Sequence, residues 1–290
     1  MVTIEEKYSD SNVEELKYLA KLTYHIKDYN KCKDIFRILG SKSRLKIDRE
    51  DQYLFSACLK QIIKKQITTL EYMKKVHLQS KEEFEKIKQQ KQKEDNQDTV
   101  TKNNNDIEKN RNELKLSFLQ DKINLYESDI KRTIDEMNTL IDDMNKKLAD
   151  SQNDEKMFFM KLRGDLLRYK SDLYKYKEDR SRCIYQCEKC YLDAIDFAHK
   201  NNIQYNNPTL LSIQLNYAVM LYEVKYEKDN SISYLKETLS NFETIKKIED
   251  IDTNDIVKLM RQNLFIWEKD TAKPQVVNYQ EKGYEDDIYS

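Results

Sequence analysis

Three cysteines lie close together in the second half of the chain, at Cys183, Cys187 and Cys190. With the same spacing, three thiolates hold the iron–sulfur cluster of radical enzymes that use S-adenosylmethionine. Such a motif needs a loop at the mouth of a glycine-bearing α/β barrel. Here the offsets of four and seven place the thiols along one stripe of a helix, which Ala194 continues. Since cysteine is among the most often buried residue types, the pattern predicts packing in a core.

Other residues that could support catalysis form no pattern. His25, His77 and His199 are scattered, and none has a second histidine at metal-ligand spacing. Acidic pairs occur throughout so charged a chain, and none stands out as an acid–base dyad. The three glycines lie too far apart to form a phosphate-binding loop. The sequence therefore predicts no enzyme, no cofactor and no metal.

One basic group of residues remains. Lys161, Asp165, Arg168, Tyr169 and Asp172 follow one another at helical offsets and share a face. An arginine fork beside a lysine and a phenol hydroxyl suits a phosphate group. A merely solvated helix face would show the same pattern, so both interpretations stay open on these residues alone.

The composition points to helices. The 290 residues include only 3 glycines and 2 prolines, too few for the turns of a β-sandwich or barrel. The 51 basic and 52 acidic residues leave a net charge of −1, without the basic excess of a nucleic-acid binder. No apolar run approaches the ~18 residues of a membrane span, and the start does not resemble a secretory signal. Five cysteines, an odd number, favour a reducing compartment. We expect a cytoplasmic protein without nucleic-acid or membrane partners.

Apolar residues recur every three or four positions in nine segments, which predicts nine helices joined by short loops. Asp48 and Asp51 indicate the start of the third helix, Pro208 starts the seventh, and Gly40–Ser41 is expected to end the second. Breaks are expected at 150–154, 177–180, 206–208, 228–230 and 250–253.

The chain is predicted to form one helical domain over residues 1–268. A polar segment at about 85–113 interrupts it, and lacks the apolar residues needed to pack on a core. Disorder and a protruding helical hairpin are both open for this insert. Residues 269–290 have lost the helical period and are expected to form a flexible tail.

Four segments of the chain match sequence motifs of one protein family. The strongest match is residues 156–169, KMFFMKLRGDLLRY, which is similar to the family's K-V-F-Y-L-K-M-K-G-D-Y-x-R-Y. Residues 215–223, LNYAVMLYE, and 259–267, LMRQNLFIW, match two further motifs, and residues 53–60, YLFSACLK, match a fourth more weakly. Four matches in the right order on a nine-helix pattern are specific. The chain resembles the 14-3-3 family, the dimeric adaptors that bind phosphoserine and phosphothreonine.

The resemblance implies nine antiparallel helices that form an amphipathic groove and dimerise through the N-terminal helices. It implies that Lys60, Arg168 and Tyr169 bind the phosphate of a client, with Lys161 on the same side. Recognition would proceed without chemistry, because charge-assisted hydrogen bonds select the phosphate.

The resemblance also implies that Asn216, Glu223 and Asn263 bind the peptide backbone. An apolar wall would line the groove beside them. Its residues would be Leu215, Val219, Ile256, Leu259, Ile266 and Trp267.

The chain departs from the family pattern near the phosphate site. Ile67 stands where the family has a second phosphate-binding arginine, and Glu71 stands at another basic position. Asp255 replaces an apolar wall residue. Losing an arginine fork costs about 1.5–3 kcal/mol, or roughly ten- to a hundredfold in affinity. Lys64, on the same face as Lys60, offers partial compensation, so the sequence predicts a weakened or retuned pocket.

The residues expected at the dimer contact are Lys31, Asp129, Asp28 and Tyr126. The pair Lys31 and Asp129 reverses the signs that the family usually has, and Asp28 replaces a basic residue, with Lys131 and Arg132 as candidate partners. Since like charges penalise the wrong partner, we expect homodimers rather than mixed dimers.

The sequence leaves three candidate functions. The first is a dimeric phosphopeptide adaptor. The second is a protein-interaction scaffold of the same fold that does not depend on phosphate. The third is a helical or coiled-coil structural protein, although no repeat period of thirty to fifty residues is visible.

Overall fold

The computed structural model describes residues 8, 10–42, 47–93, 99–245 and 251–271 of the chain. The described residues form nine α-helices, and no strand occurs among them. In chain order the helices are α1 (Val13–His25), α2 (Tyr29–Ser41), α3 (Arg49–Lys93), α4 (Thr99–Asn145), α5 (Asn153–Ser171), α6 (Lys177–Lys200), α7 (Pro208–Val219), α8 (Lys228–Glu243) and α9 (Ile251–Thr271). The predicted all-α fold is confirmed.

These helices fall into two compact units. Helices α1 to α6 belong to the N-terminal unit, Met1–Asn202, and α7 to α9 belong to the C-terminal unit, Ile203–Ser290. Among the described helices, none is long and apolar enough to cross a membrane. The predicted domain at 1–268 and tail at 269–290 stay predictions, and residues 272–290 lie outside the described part.

Side-chain caps set two helix starts that the sequence indicated. At the start of α3, the backbone N–H of Asp51 donates to Asp48 Oδ1 at 2.9 Å, and that of Asp48 donates to Asp51 Oδ2 at 3.1 Å. Before Pro208, the first residue of α7, Asn207 Oδ1 accepts from the backbone N–H of Leu210 at 3.0 Å. These bonds satisfy N–H groups that have no partner inside the helix. Both predicted starts are confirmed.

Three stretches that the sequence predicts as breaks are instead the first turns of helices. Helix α6 begins at Lys177, α8 at Lys228 and α9 at Ile251. The first turns carry acidic side chains, such as Glu178 and Asp179 in α6, beside the partial positive charge of the helix N-terminus. The interpretation as breaks was wrong, because charge at these positions favours helix initiation.

Helix α2 ends at Ser41, within the predicted stop at Gly40–Ser41, but Gly40 does not act there as a left-handed cap. It lies inside α2, and neither described glycine has a positive φ angle. A Cβ atom on Gly40 would lie 2.7 Å from Cγ of Met144 in α4. The glycine therefore serves a close helix–helix contact and not a turn.

The N-terminal unit has an apolar core to which α1 to α5 contribute. The rings of Phe36 and Phe55 lie 4.8 Å apart, and those of Phe55 and Phe159 lie 6.3 Å apart, which joins α2, α3 and α5. On α4, Ile130 and Ile134 are fully buried one turn apart. Each large apolar side chain contributes about 1.5–3 kcal/mol when buried, so this core holds the helices that carry the basic residues.

Helices α3 and α4 extend beyond this core into the polar insert at about 85–113. They are 45 and 47 residues long; α3 ends at Lys93 and α4 begins at Thr99. Residues 94–98 of the insert lie outside the described residues.

A stack of two aromatic rings anchors the end of α9 in the C-terminal unit. The rings of Trp267 and Tyr222 lie 4.5 Å apart and nearly parallel. The Tyr222 hydroxyl donates to Asp270 Oδ2 at 2.6 Å, and Nζ of Lys228 lies 2.8 Å from the same oxygen. Tyr222 belongs to the π-helical turn Met220–Val224, which continues α7. Turns of this kind often occur at functional sites.

Candidate phosphate-binding site

The buried carboxylate of Asp165 organises the basic face of α5. Its side chain is 2% exposed, and Nζ of Lys161, one turn earlier, lies 3.0 Å from its Oδ2. Nζ of Lys60, on α3, lies 3.9 Å from the same oxygen. The hydroxyl of Tyr191, on α6, donates to Oδ1 at 2.7 Å. One carboxylate therefore joins three helices.

Tyr191 reaches Asp165 because Gly164 has no side chain. A Cβ atom on Gly164 would lie 2.7 Å from Cε1 of Tyr191, too close for a real contact. The fully buried ring thus packs directly on the backbone of α5. The glycine in the strongest motif allows the hydrogen bond that holds Asp165.

The charges around Asp165 favour an anionic ligand. Burial alone would raise the pKa of Asp165, but Lys161, Lys60, Arg168 and the Tyr191 hydrogen bond together hold that pKa below its ordinary value. The pKa of Lys161 is lowered by burial, which outweighs the attraction of Asp165. Three cationic side chains and one carboxylate leave two formal positive charges. A phosphorylated side chain carries about −1.5 to −2 at neutral pH.

Arg168 and Tyr169 lie in the last turn of α5. Cζ of Arg168 lies 5.3 Å from the centre of the Tyr169 ring. Tyr169 is half-buried and packs on the core of the N-terminal unit. The core thus positions the ring, and the ring supports the planar guanidinium group. The structure places Lys60, Lys161 and Arg168 around one carboxylate, beside Tyr169.

The next turns of α3 carry the residues that depart from the family pattern. Lys64 and Glu71 are exposed, whereas Ile67 is half-buried and packs on the core. Ile67 therefore contributes apolar contact and no hydrogen-bond donor. Compensation by Lys64 stays a prediction.

The cysteine stripe packs against α5, next to this site. The thiols of Cys183 and Cys187 donate to the carbonyl oxygens of Leu167 at 3.3 Å and Gly164 at 3.2 Å. Both side chains are buried, while Cys190 is partly exposed. Burial raises the pKa of Cys183 to about 11, so this thiol stays protonated at neutral pH. Core packing is confirmed for Cys183 and Cys187.

The residues predicted to bind a peptide backbone lie in the C-terminal unit. Asn216 on α7 and Asn263 on α9 are half-buried, and Glu223 in the π-helical turn is exposed. Five of the six predicted wall residues belong to one apolar cluster of this unit. They are Leu215, Val219, Ile256, Leu259 and Trp267. Ile266 is 59% exposed, and Asp255 is exposed as well. Their binding roles stay predictions.

Two residues predicted at the dimer contact have roles within the chain. Asp28 caps α2 and accepts from the backbone N–H of Lys31 at 3.2 Å. Asp129 forms an ion pair of 2.9 Å with Arg132. Tyr126 is half-buried against the core. The dimer contact itself stays a prediction.

Tyr191 is the site residue that sequence reasoning missed. It follows Cys183 and Cys187 at the same four-residue interval, so it belongs to the stripe of α6 that faces α5. That periodicity could have placed it near Asp165. The hydrogen bond between them required the structure.

These features define a class: a helical protein with a cationic cluster around a buried carboxylate and a second helical unit with apolar and amide side chains. A family model described as 14-3-3 protein matches residues 19–268, most of the chain. The chain belongs to the 14-3-3 family. Members of this family are adaptors and not enzymes.

Named relatives match over shorter lengths. The chain is 30% identical over 123 residues to 14-3-3 protein homolog 2 of Schistosoma mansoni, covering 41% of this chain and 56% of that protein. It is 29% identical over 125 residues to 14-3-3 protein zeta of Xenopus laevis, covering 42% and 50%. It is 28% identical over 123 residues to 14-3-3-like protein 1 of Caenorhabditis elegans, covering 41% and 48%. The chain spans about half the length of the curated relatives it matches.

Proposed function

We propose that this protein is an adaptor that binds phosphoserine- or phosphothreonine-containing segments of client proteins. Lys60, Lys161, Arg168 and Tyr169 bind the phosphate. The supporting observation is the surplus of two positive charges around the buried Asp165. Because Asp165 and the core hold these side chains before a ligand arrives, binding costs little side-chain ordering.

The C-terminal unit carries the residues that we propose bind the backbone and the apolar side chains of a client. Asn216, Glu223 and Asn263 bind the backbone of an extended client segment, since amide and carboxylate groups pair with peptide N–H and C=O groups. The apolar cluster around Trp267 packs on the client's side chains. We further propose that the protein acts as a cytoplasmic homodimer through its N-terminal helices.

The proposed pocket is weaker than one with a further arginine. Ile67 offers no donor, and the missing charge-assisted bond corresponds to about 1.5–3 kcal/mol, or roughly ten- to a hundredfold in affinity. Clients would therefore need either additional contacts or high local concentration.

Fluorescence anisotropy with matched peptides tests this proposal. A labelled peptide library with one phosphoserine should bind the protein more tightly than its unphosphorylated counterpart. Arg168→Ala should weaken phosphopeptide binding roughly ten- to a hundredfold. Arg163→Ala is the matched control, since Arg163 lies on the same helix but pairs with Asp142 of α4 at 3.0 Å. Equal affinity for both peptides would rule out phosphate recognition.

A scaffold that does not depend on phosphate is the second candidate. Ile67 favours it, because this half-buried residue replaces a charged donor by apolar surface. Under this function, Arg168→Ala leaves client binding unchanged, and phosphatase treatment of a client does the same.

A further inference from the structure

A second basic cluster lies on the N-terminal unit, away from Asp165. Its centre is Glu127 of α4, whose side chain is 6% exposed. Nζ of Lys74, on α3, lies 2.9 Å from Glu127 Oε1, and Nζ of Lys175, in the loop after α5, lies 3.3 Å from Oε2. Nζ of Lys131, one turn further along α4, lies 4.4 Å from the centre of the Tyr174 ring. Two ammonium groups thus contact one carboxylate, and a third lies one helical turn further along α4.

Two acidic side chains near this cluster form ion pairs of their own. Asp135 is paired with Lys170, and Asp179 lies 3.8 Å from Arg182. Burial lowers the pKa of Lys131, and the positive charges of Lys175 and Lys170 lower it further, against the attraction of Glu127 and Asp179. The cluster therefore holds more positive than negative charge.

Lys74 and Lys175 also remain open to a ligand. Their side chains are 49% and 53% exposed. Each ammonium group has three donors. Lys74 uses one on Glu127, and Lys175 uses donors on Glu127 and on Asn124 Oδ1 at 2.6 Å. Donors are left for an anion that approaches from solvent.

The lysines of this cluster follow those around Asp165 at a regular interval along α3 and along α5 with its following loop. Lys74 follows Lys60 by fourteen residues, which returns to nearly the same face of α3 about 21 Å further along. Lys175 follows Lys161 by the same interval along α5 and the turn after it. An extended peptide covers this distance with about six residues.

We propose that Lys74, Lys131 and Lys175 form a second anion site, which binds a second phosphorylated residue about six positions from the first on the same client segment. This inference rests on the proposed function and specifies the clients. The attraction acts near the surface, so salt should weaken it.

Three peptide designs test the spacing by anisotropy at low salt. The first peptide carries a single phosphoserine. Two further peptides add a second phosphoserine, one of them six residues before the first and the other six residues after it. In a control peptide the second phosphoserine lies two residues from the first. We expect one of the six-residue peptides to bind about fivefold or more tighter than the single phosphopeptide, a gain typical of a near-surface charge contact of about 1 kcal/mol. The gain should shrink at high salt. Equal affinity of the single phosphopeptide and both six-residue peptides would overturn the site.

Two substitutions test the residues without uncovering Glu127. Lys131→Gln should remove most of the gain from the second phosphate, because it removes one of the three cations. Among the described residues Lys131 forms no ion pair with Glu127, so that carboxylate keeps its pairs with Lys74 and Lys175. Arg132→Gln is the control, because Arg132, the neighbouring cation on α4, pairs with Asp129 instead. Because Lys131 and Arg132 are also candidate partners of Asp28 at the predicted dimer contact, light scattering first checks that both variants keep the oligomeric state of the wild type. With that state kept, both should bind the single phosphopeptide as the wild type does. An unchanged gain in Lys131→Gln contradicts the proposed site. If the single phosphopeptide itself fails to bind the wild type, the proposed function fails and this inference fails with it.

Discussion

Replacing Tyr191 by phenylalanine tests whether the carboxylate of Asp165 depends on its partner from α6. The change removes one hydroxyl from a fully buried ring and leaves the packing against Gly164 intact. What it removes is a hydrogen bond of 2.7 Å to Asp165 Oδ1. Because Asp165 is buried, water does not readily replace that donor.

The expected cost follows from the type of bond. Hydrogen bonds to charged groups contribute about 1.5–3 kcal/mol, so Tyr191→Phe should lower the free energy of unfolding by that amount at neutral pH. Urea titrations followed by circular dichroism measure this free energy through the helices. The phosphopeptide affinity should also fall, since a less restrained Asp165 positions Lys60 and Lys161 less well.

Tyr185→Phe provides the matched control for this measurement. Tyr185 is on the same helix, and its side chain is 65% exposed. Its replacement should change the free energy of unfolding by less than about 0.5 kcal/mol. If Tyr191→Phe behaves like Tyr185→Phe, the hydroxyl does not stabilise Asp165 and the reasoning is refuted.

Three further predictions concern the same pocket. Ile67→Arg should raise phosphopeptide affinity by roughly ten- to a hundredfold in anisotropy titrations, because it adds a charge-assisted donor, and an unchanged affinity would place residue 67 outside the pocket. Gly164→Ala should lower the free energy of unfolding by about 1–3 kcal/mol in urea titrations, since its Cβ meets the Tyr191 ring; a loss below about 0.5 kcal/mol would show that the ring moves freely. Asp165 has a lowered pKa, so its stabilising contribution is complete above the ordinary aspartate pKa of about 3.9 and is lost as the pH falls below it. The difference in urea midpoint between wild type and Asp165→Asn should therefore stay constant from about pH 8 to 5 and narrow in more acidic solution, and a constant difference throughout would contradict this assignment.

Local features of the fold could be predicted from sequence because they depend on neighbouring residues. The apolar period located the helices, and Asp48 with Asp51 located the start of α3. The same locality explains the error at Lys177, and it explains why the close contact at Gly40 could not be predicted. A charged stretch suits a loop or a first helical turn, and a glycine suits a helix end or a close contact; neighbouring residues alone do not separate these cases.

The candidate phosphate-binding site also has a part that could be predicted from sequence and a part that could not. The spacing of Lys161, Asp165 and Arg168 within one helix was enough to place them on one face. The sequence contained no local sign that Asp165 accepts from Tyr191, which lies 26 residues further along the chain.

The sequence by itself determined that the protein is helical, which apolar segments lie in its helices, and which motifs relate it to the 14-3-3 family. These properties repeat within a few residues, where one helical turn brings side chains together. Only the tertiary structure decided that Asp165 collects cations and a hydroxyl from α3, α5 and α6, and that Glu127 gathers lysines from α3 and the loop after α5. The physical reason is that helix packing, and not chain distance, decides which charges share a buried carboxylate.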